Sequence, residues 1–192
     1  MRPNLWGPAI WKLMFVCCWN VCEDNVELVR KFLIHIIPNI IPCGTCAKHY
    51  TDSIPEVNRR AKEKPGIRQH SFRWCWYMKD IVNRRLGITS IHLADFAERH
   101  FLYGLSINEV ETADVLVLVA LKAREDNKDD LFMEFCRTLY CLLPIHEGTV
   151  FMYYLKHIDR PIITGALRLA RATREFHGMP VEDLVKYKAT VR

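Results

Sequence analysis

The sequence predicts an all-α protein, and three observations carry that expectation. Apolar residues recur at helical spacing along nearly every segment, with no sustained run of strict alternation. Prolines, glycines and capping residues divide the chain into lengths typical of helices. The β-branched run Val115–Leu121 has no partner strand in sight and so reads as a buried helix.

The elements follow in order. A first helix starts near Pro8, where proline suits a first turn, and runs through Trp11, Leu13, Met14, Phe15 and Cys18 to about Cys22. It is apolar almost all round, which places it centrally. A second begins at Asp24, with Glu27 as a capping-box variant, and ends before Pro38; its apolar face is Leu28, Phe32 and Ile36. After Pro42 and Cys43–Cys46 a short third helix runs to Ile54, where Pro55 stops it. Residues 55–69, with two prolines, a glycine and many charges, read as a loop. Ser71 caps a fourth helix that reaches Leu86 and ends at Gly87; a short fifth covers about Leu93–Leu102. Beyond Gly104 the same patterning gives helices at about 107–124, 129–143, 148–158, 161–176 and 181–187.

At 192 residues the chain has room for one domain, or two at most. Half of it is hydrophobic, enough for a sizeable core, and 8 Gly with 9 Pro exclude a collagen-like or low-complexity chain. The seven apolar residues of Val115–Leu121 fall far short of the roughly 20 that span a bilayer, so no membrane span is expected. The start, MRPNLWGP, lacks the h-region of a secretory signal, so the expectation is a protein that is not secreted. The net charge of +5 resides in the first half, with 15 Lys/Arg against 9 Asp/Glu up to residue 100. That excess suits an anionic ligand and is too small to call for nucleic acid.

Eight cysteines in a chain without a signal peptide favour metal or redox chemistry over a disulfide scaffold. Cys43-Gly44-Thr45-Cys46 places two thiols at a helix start, where the positive end of the helix dipole favours thiolate. His49 lies one turn beyond Cys46 on the same face. Three readings stand side by side. A zinc site would take Cys43, Cys46 and His49 with Cys75 or His70, yet no second closely spaced pair exists. A thioredoxin-like dithiol needs flanking strands. The third reading is two reduced cysteines on a helix. A second constellation follows in Phe72–Gly87, where Trp76, Lys79/Asp80, Asn83 and Gly87 recur at three- and four-residue steps. One helix face thus joins aromatic, polar and basic groups, which suits a flat heterocycle with an anionic tail.

With WGPAIW at the start, PCGTCAKHY next and W-x-x-x-x-K-D-x-V-N-x-R-L-G last, the chain resembles the Erv/ALR family of FAD-dependent sulfhydryl oxidases over about residues 5–90. It departs from the family pattern in having Lys79-Asp80 for His-Asn, and Phe15 where His is usual. The C-x-x-C-x-x-H-Y form looks most like quiescin-type oxidases and those of large DNA viruses. The resemblance implies a four-helix bundle with a short fifth helix over residues 1–104, then a helical extension, 105–192, of unknown role. It implies FAD as cofactor, dioxygen as electron acceptor and dithiol-containing proteins as substrates, a thioredoxin-like protein among the candidates. It also implies a homodimer, acting in the host cytoplasm or virion. Carried over by position, Cys43 would be the interchange cysteine and Cys46 the flavin-proximal one. Trp6, Gly7, Trp11, Phe15, His49, Tyr50, Trp76, Lys79, Asp80, Val82, Asn83, Arg84 and Arg85 would contact FAD. The competing class is a non-enzymatic helical interaction module whose cysteines are structural or bind zinc.

Cys136 and Cys141 have the C-x4-C spacing of one variety of shuttle disulfide, but within a continuous helix they point about 140° apart and cannot bridge. A shuttle needs the helix to break there; otherwise both are core thiols. Cys17, Cys18 and Cys22 read as buried, with a bridge or dimer disulfide at Cys22 as the alternative. Arg168, Arg171 and Arg174, three residues apart, read as a solvated helix face.

Overall fold

The computed structural model describes residues 3–62, 67–103, 109–143, 162–176 and 178. Every regular element among them is helical, in agreement with the all-α expectation. Helix α1 is Pro3–Trp19, α2 Val26–Lys31, α3 Ile37–Ile40, α4 Gly44–Ala61, α5 Ile67–Arg85 and α6 Leu93–Tyr103. A short 3-10 turn, Glu23–Asn25, leads into α2, and a π-helical turn, Phe32–Ile36, joins α2 to α3. Then come α7, Glu109–Glu125; α8, Asp129–Leu142; and α9, Ile162–Phe176. The helices expected at 148–158 and 181–187 lie outside the described residues. Among the described residues no helix is long and apolar enough to cross a membrane.

The bundle consists of α1, the composite rod α2–π–α3, α4 and α5, with α6 as the short fifth helix; α5 packs on both α1 and α4, and α3 on α4. Its boundaries depart from the sequence expectation at three prolines and at Ser71, which lies buried inside α5 instead of capping it, because that helix already begins at Ile67. Pro8 lies inside α1, and the helix begins five residues earlier because Trp6 and Ile10 bury their side chains on the same side. Pro55 lies inside α4, which runs on to Ala61. Proline forfeits one i→i−4 bond, but Pro55 is exposed, so the orphaned carbonyl opens toward water. Past it, Val57 and Ala61 are fully buried, Trp74 Nε1 donates to Asn58 Oδ1 at 2.7 Å, and Arg59 and Arg60 both hold Glu56. These contacts outweigh the lost bond.

Pro38 is the third case. The N–H of Ile37 reaches back to the carbonyl of Phe32 in the wide π register. In that register the Leu33 carbonyl would need the N–H of residue 38, which proline lacks. The hydroxyl of Tyr50 donates to it instead, at 2.9 Å, so one tertiary bond lets the rod pass through the proline. At the far end of α5 the reading holds: Gly87 takes φ +70°, with Ile88 N–H on the Asn83 carbonyl at 2.9 Å and Gly87 N–H on Arg84 at 3.2 Å. That pair of bonds is a Schellman cap.

The second half packs on the first: α7 lies against α1 and α3, α8 against the π turn, and α9 against α7. Val115–Ala120 are all buried, so α7, apolar all round, is a core helix. Phe135 of α8 stacks on Phe32 with ring centroids 6.2 Å apart, and Lys12 of α1 binds Glu111 of α7 at 2.7 Å. The arginine triplet on α9 needs correction. Arg168 and Arg171 are exposed, but Arg174 is only 3% exposed and donates to Asp114 of α7 at 2.8 Å. Steps of three fall short of a full turn, so residues 168 and 174 lie about 120° apart on the helix and share no face. Removing one member of such a buried pair strands the other's charge. Asp114→Ala is therefore expected to lower unfolding free energy by about 3 kcal/mol in urea denaturation.

Candidate active site

Cys43 occupies the N-cap of α4 in extended backbone, φ −140° and ψ 107°, and its carbonyl accepts the N–H of Ala47 at 2.8 Å. Its Sγ accepts the backbone N–H of Cys46 at 3.2 Å. Cys43 and Cys46 are joined as a disulfide, with Cα atoms 5.2 Å apart. The pair is thus held at the positive end of an 18-residue helix. Both sulfurs are engaged with each other, and among the described residues no cluster of three or more His, Cys, Asp or Glu is arranged to hold a metal ion.

A cavity of about 440 Å³ opens beside the disulfide, and Cys46, not Cys43, forms part of its wall. Helix α1 contributes Trp6, Gly7, Ile10, Trp11 and Met14; Ile37 and Ile41 come from α3 and its C-cap; His49 and Tyr50 follow Cys46 on α4. Lys79, Val82, Asn83 and Arg85 face it from α5, with Leu86 and Ile88 just beyond. Walls that are mostly apolar with a few polar groups are the usual make-up of a small-molecule site, and the volume is in the usual range. Two features leave room and chemistry for a ligand. The indole N–H of Trp6 is buried without a hydrogen-bond partner, and a Cβ added at Gly7 would meet nothing within 4 Å. Another cavity of similar size, at the opposite end of the α4–α5 pair, is lined by Asn58, Lys62, His70 and Trp74 among others and contains no cysteine.

A smaller cavity of about 290 Å³ adjoins the first and shares Lys79, Asn83 and Ile88 with it. Trp76, Asp80, Thr89, Ser90, Ile91 and Phe96 complete its lining. Asn83 Nδ2 donates to Ser90 Oγ at 3.3 Å, which ties the loop after Gly87 back to α5. The Lys79 ammonium rests 5.5 Å from the Trp11 ring centroid and 6.0 Å from that of Phe15; burial pulls its pKa below the ordinary lysine range. Arg85 Nη1 donates to the His49 carbonyl at 3.0 Å and so links the end of α5 to the dithiol helix.

Of the residues singled out from the sequence, Trp6, Gly7, Trp11, Cys46, His49, Tyr50, Lys79, Val82, Asn83 and Arg85 line the larger cavity. Trp76 and Asp80 line only the smaller one. Phe15 and Arg84 line neither. Phe15 is 2% exposed and packs on Phe72 and Phe96 at 5.2 and 4.8 Å, so it is a core ring behind Lys79. Arg84 turns outward and pairs with Asp80. Sequence reasoning did not single out Ile37, Ile41, Ile88 and Ser90. The isoleucines carry no chemical signal, and Ser90 acquires its place only through the turn at Gly87.

The remaining thiols divide by burial. Cys17, Cys18, Cys75 and Cys136 are buried, while Cys22 and Cys141 are exposed; all six are free. Desolvation pushes the Cys17, Cys18 and Cys136 thiols, and the Tyr50 phenol, well above their ordinary pKa values. Cys136 and Cys141 sit on one unbroken helix, α8, so the break that a Cys136–Cys141 shuttle disulfide requires is absent; of the two expected core thiols only Cys136 is buried, and Cys141, about 140° round the helix, faces outward. Cys22 is exposed at the cap of the 3-10 turn, a correction to its expected burial; the chain leaves α1 at Trp19 and turns there to reach α2.

Residues 8–101, just under half of the chain, match the model of the Erv1/Alr family. A probable FAD-linked sulfhydryl oxidase of monkeypox virus is 32% identical over 59 residues, 30% of this chain and 61% of that protein. Proteins of the same description in vaccinia virus (strain Copenhagen) and variola virus match to the same extent. The matched stretch thus spans about three fifths of the length of these curated relatives. No solved structure matches the chain.

The thiol inventory predicts an alkylation pattern readable by mass spectrometry. The folded, unreduced protein should be modified at Cys22 and Cys141 alone. Mild reduction should add Cys43 and Cys46, and the four buried thiols should react only in denaturant.

Proposed function

We propose that this chain is an FAD-linked thiol oxidase of the Erv/ALR kind, with Cys43 and Cys46 as its redox-active pair and residues 1–104 carrying the chemistry. The observation that carries this reading is the position of Cys46. Of the disulfide at the helix N-terminus, Cys46 lines an apolar cavity whose walls also hold an unpartnered indole N–H and two cations.

In this reading a substrate thiolate attacks Sγ of Cys43, the sulfur outside the cavity, and Cys46 departs as a thiolate. The second substrate thiol, deprotonated, then displaces Cys43 from the mixed disulfide. The substrate leaves as a disulfide, and Cys43 and Cys46 are left as a dithiol holding the electron pair. The N-terminus of α4 stabilises the thiolates that form in these exchanges, and the N–H of Cys46 already donates to Cys43 Sγ at 3.2 Å. FAD, held by the residues of the two cavities, would supply a two-electron acceptor for that dithiol, with dioxygen as the final acceptor and hydrogen peroxide as the product.

The chain's own residues supply position and exclusion of water. Trp6, Ile10, Trp11, Met14, Ile37 and Ile41 form dry walls suited to a flat ring system. The Trp6 indole N–H is a donor waiting for a ring heteroatom. Lys79 and Arg85 compensate diphosphate charge, while Trp76 and Asp80 suit the adenosine end in the smaller cavity. The viral relatives support a viral setting, and the reading extends to dithiol proteins as substrates, a thioredoxin-like protein among them, and to a homodimer in the host cytoplasm or virion.

Purified chain is expected to be yellow with the absorbance of oxidised flavin. Cys43→Ser and Cys46→Ser should each reduce dithiol-dependent oxygen consumption, followed with an oxygen electrode, by at least about a hundredfold. Cys141→Ser should retain it. Full activity in Cys46→Ser, or a colourless protein that takes up no flavin, overturns the assignment.

A further inference from the structure

The two cavities share Lys79, Asn83 and Ile88, so a ligand that reached from one into the other would pass beside these three residues. Ile88 offers no polar group, and the Asn83 amide nitrogen is engaged by Ser90. Lys79 therefore brings the charge to this crossing. Its ammonium is half-buried over aromatic rings and pairs with no carboxylate among the described residues. The adjacent acid, Asp80, is held by Arg84 and, at 3.7 Å, by Arg60. Cation–π contact offsets part of the desolvation cost of such an ammonium, and an anion at the crossing would offset the rest.

The compartments on either side differ in chemistry. One is mostly apolar and is lined by Cys46; the other is lined by Trp76 and Phe96 together with Thr89, Ser90 and Asp80. In order, these suit a flat hydrophobic ring, an anionic linker and a nucleoside. We infer that Lys79 is the specificity-determining residue of the site: by holding the diphosphate where the two cavities meet, it makes the site select the dinucleotide FAD over riboflavin, which has no anionic linker. The inference rests on the flavin reading above.

Titration of FAD and of riboflavin into the deflavinated full chain, followed by flavin fluorescence, tests it. The unaltered chain should prefer FAD by at least about tenfold, with an affinity that falls as salt is raised while that for riboflavin does not. Lys79→Met keeps the apolar stem and should cut FAD affinity by about 10- to 100-fold while leaving riboflavin within about twofold. Lys79→Arg should keep the preference. Equal losses for both ligands would assign Lys79 to packing and overturn the inference, as would unchanged FAD affinity in Lys79→Met. A salt-independent FAD affinity overturns it without recourse to any variant. Should the unaltered chain bind neither ligand, the flavin reading itself fails, a result distinct from all of these.

Discussion

The hydrogen bond from the Tyr50 hydroxyl to the Leu33 carbonyl is the constraint on which the site's shape depends. It supplies the donor that Pro38 cannot, and so lets the rod carrying Ile37 and Ile41 continue past the proline at a fixed angle. The same residue sits one turn beyond Cys46 on the dithiol helix and lines the cavity itself. One buried bond therefore ties the rod that forms the cavity's far wall to the helix that carries Cys46. Burial pushes the phenol's pKa well above its ordinary value, which favours the protonated form that donates this bond.

Around that joint the fold is braced from outside. Phe15, Phe72 and Phe96 form an aromatic knot joining α1, α5 and α6, with Trp19 edge-on to Phe72. This knot lies beneath Lys79 and gives its ammonium a ring to rest on. On the other side α7 fills the space against α1 and α3, and α8 closes over the π turn through the Phe32–Phe135 stack. The helices that line the cavity are thus backed by α7 and α8, and no described residue of the second half lines either of the two adjoining cavities.

Much of this was legible in the sequence. Helical periodicity gave the fold class, and Gly87 closed α5 as read because the left-handed conformation there has a local cause. The position of Cys43–Cys46 at a helix start follows from spacing alone, as does the grouping of Cys46, His49 and Tyr50. The aromatic-basic face of α5 also holds, though it serves two chambers and Arg84 drops out of it. Less legible were the prolines. A proline states locally that a bond is missing; whether the helix ends there depends on what else replaces that bond.

The chain's local chemistry thus determined that the segments are helical, the Gly87 cap of α5 and the sulfur pair at a helix start, since each depends on residues within a few positions of one another. Tertiary structure decided which cysteine of the pair lines the cavity, that Phe15 is core and Arg84 is rim, that Arg174 turns inward to Asp114, and that Pro38 and Pro55 lie inside helices. Apart from Arg84, whose partner Asp80 is one turn away, those outcomes rest on partners 16 or more residues distant or on packing around the whole bundle. Burial and pairing at that range are properties of the assembled core, and spacing along the chain cannot specify them.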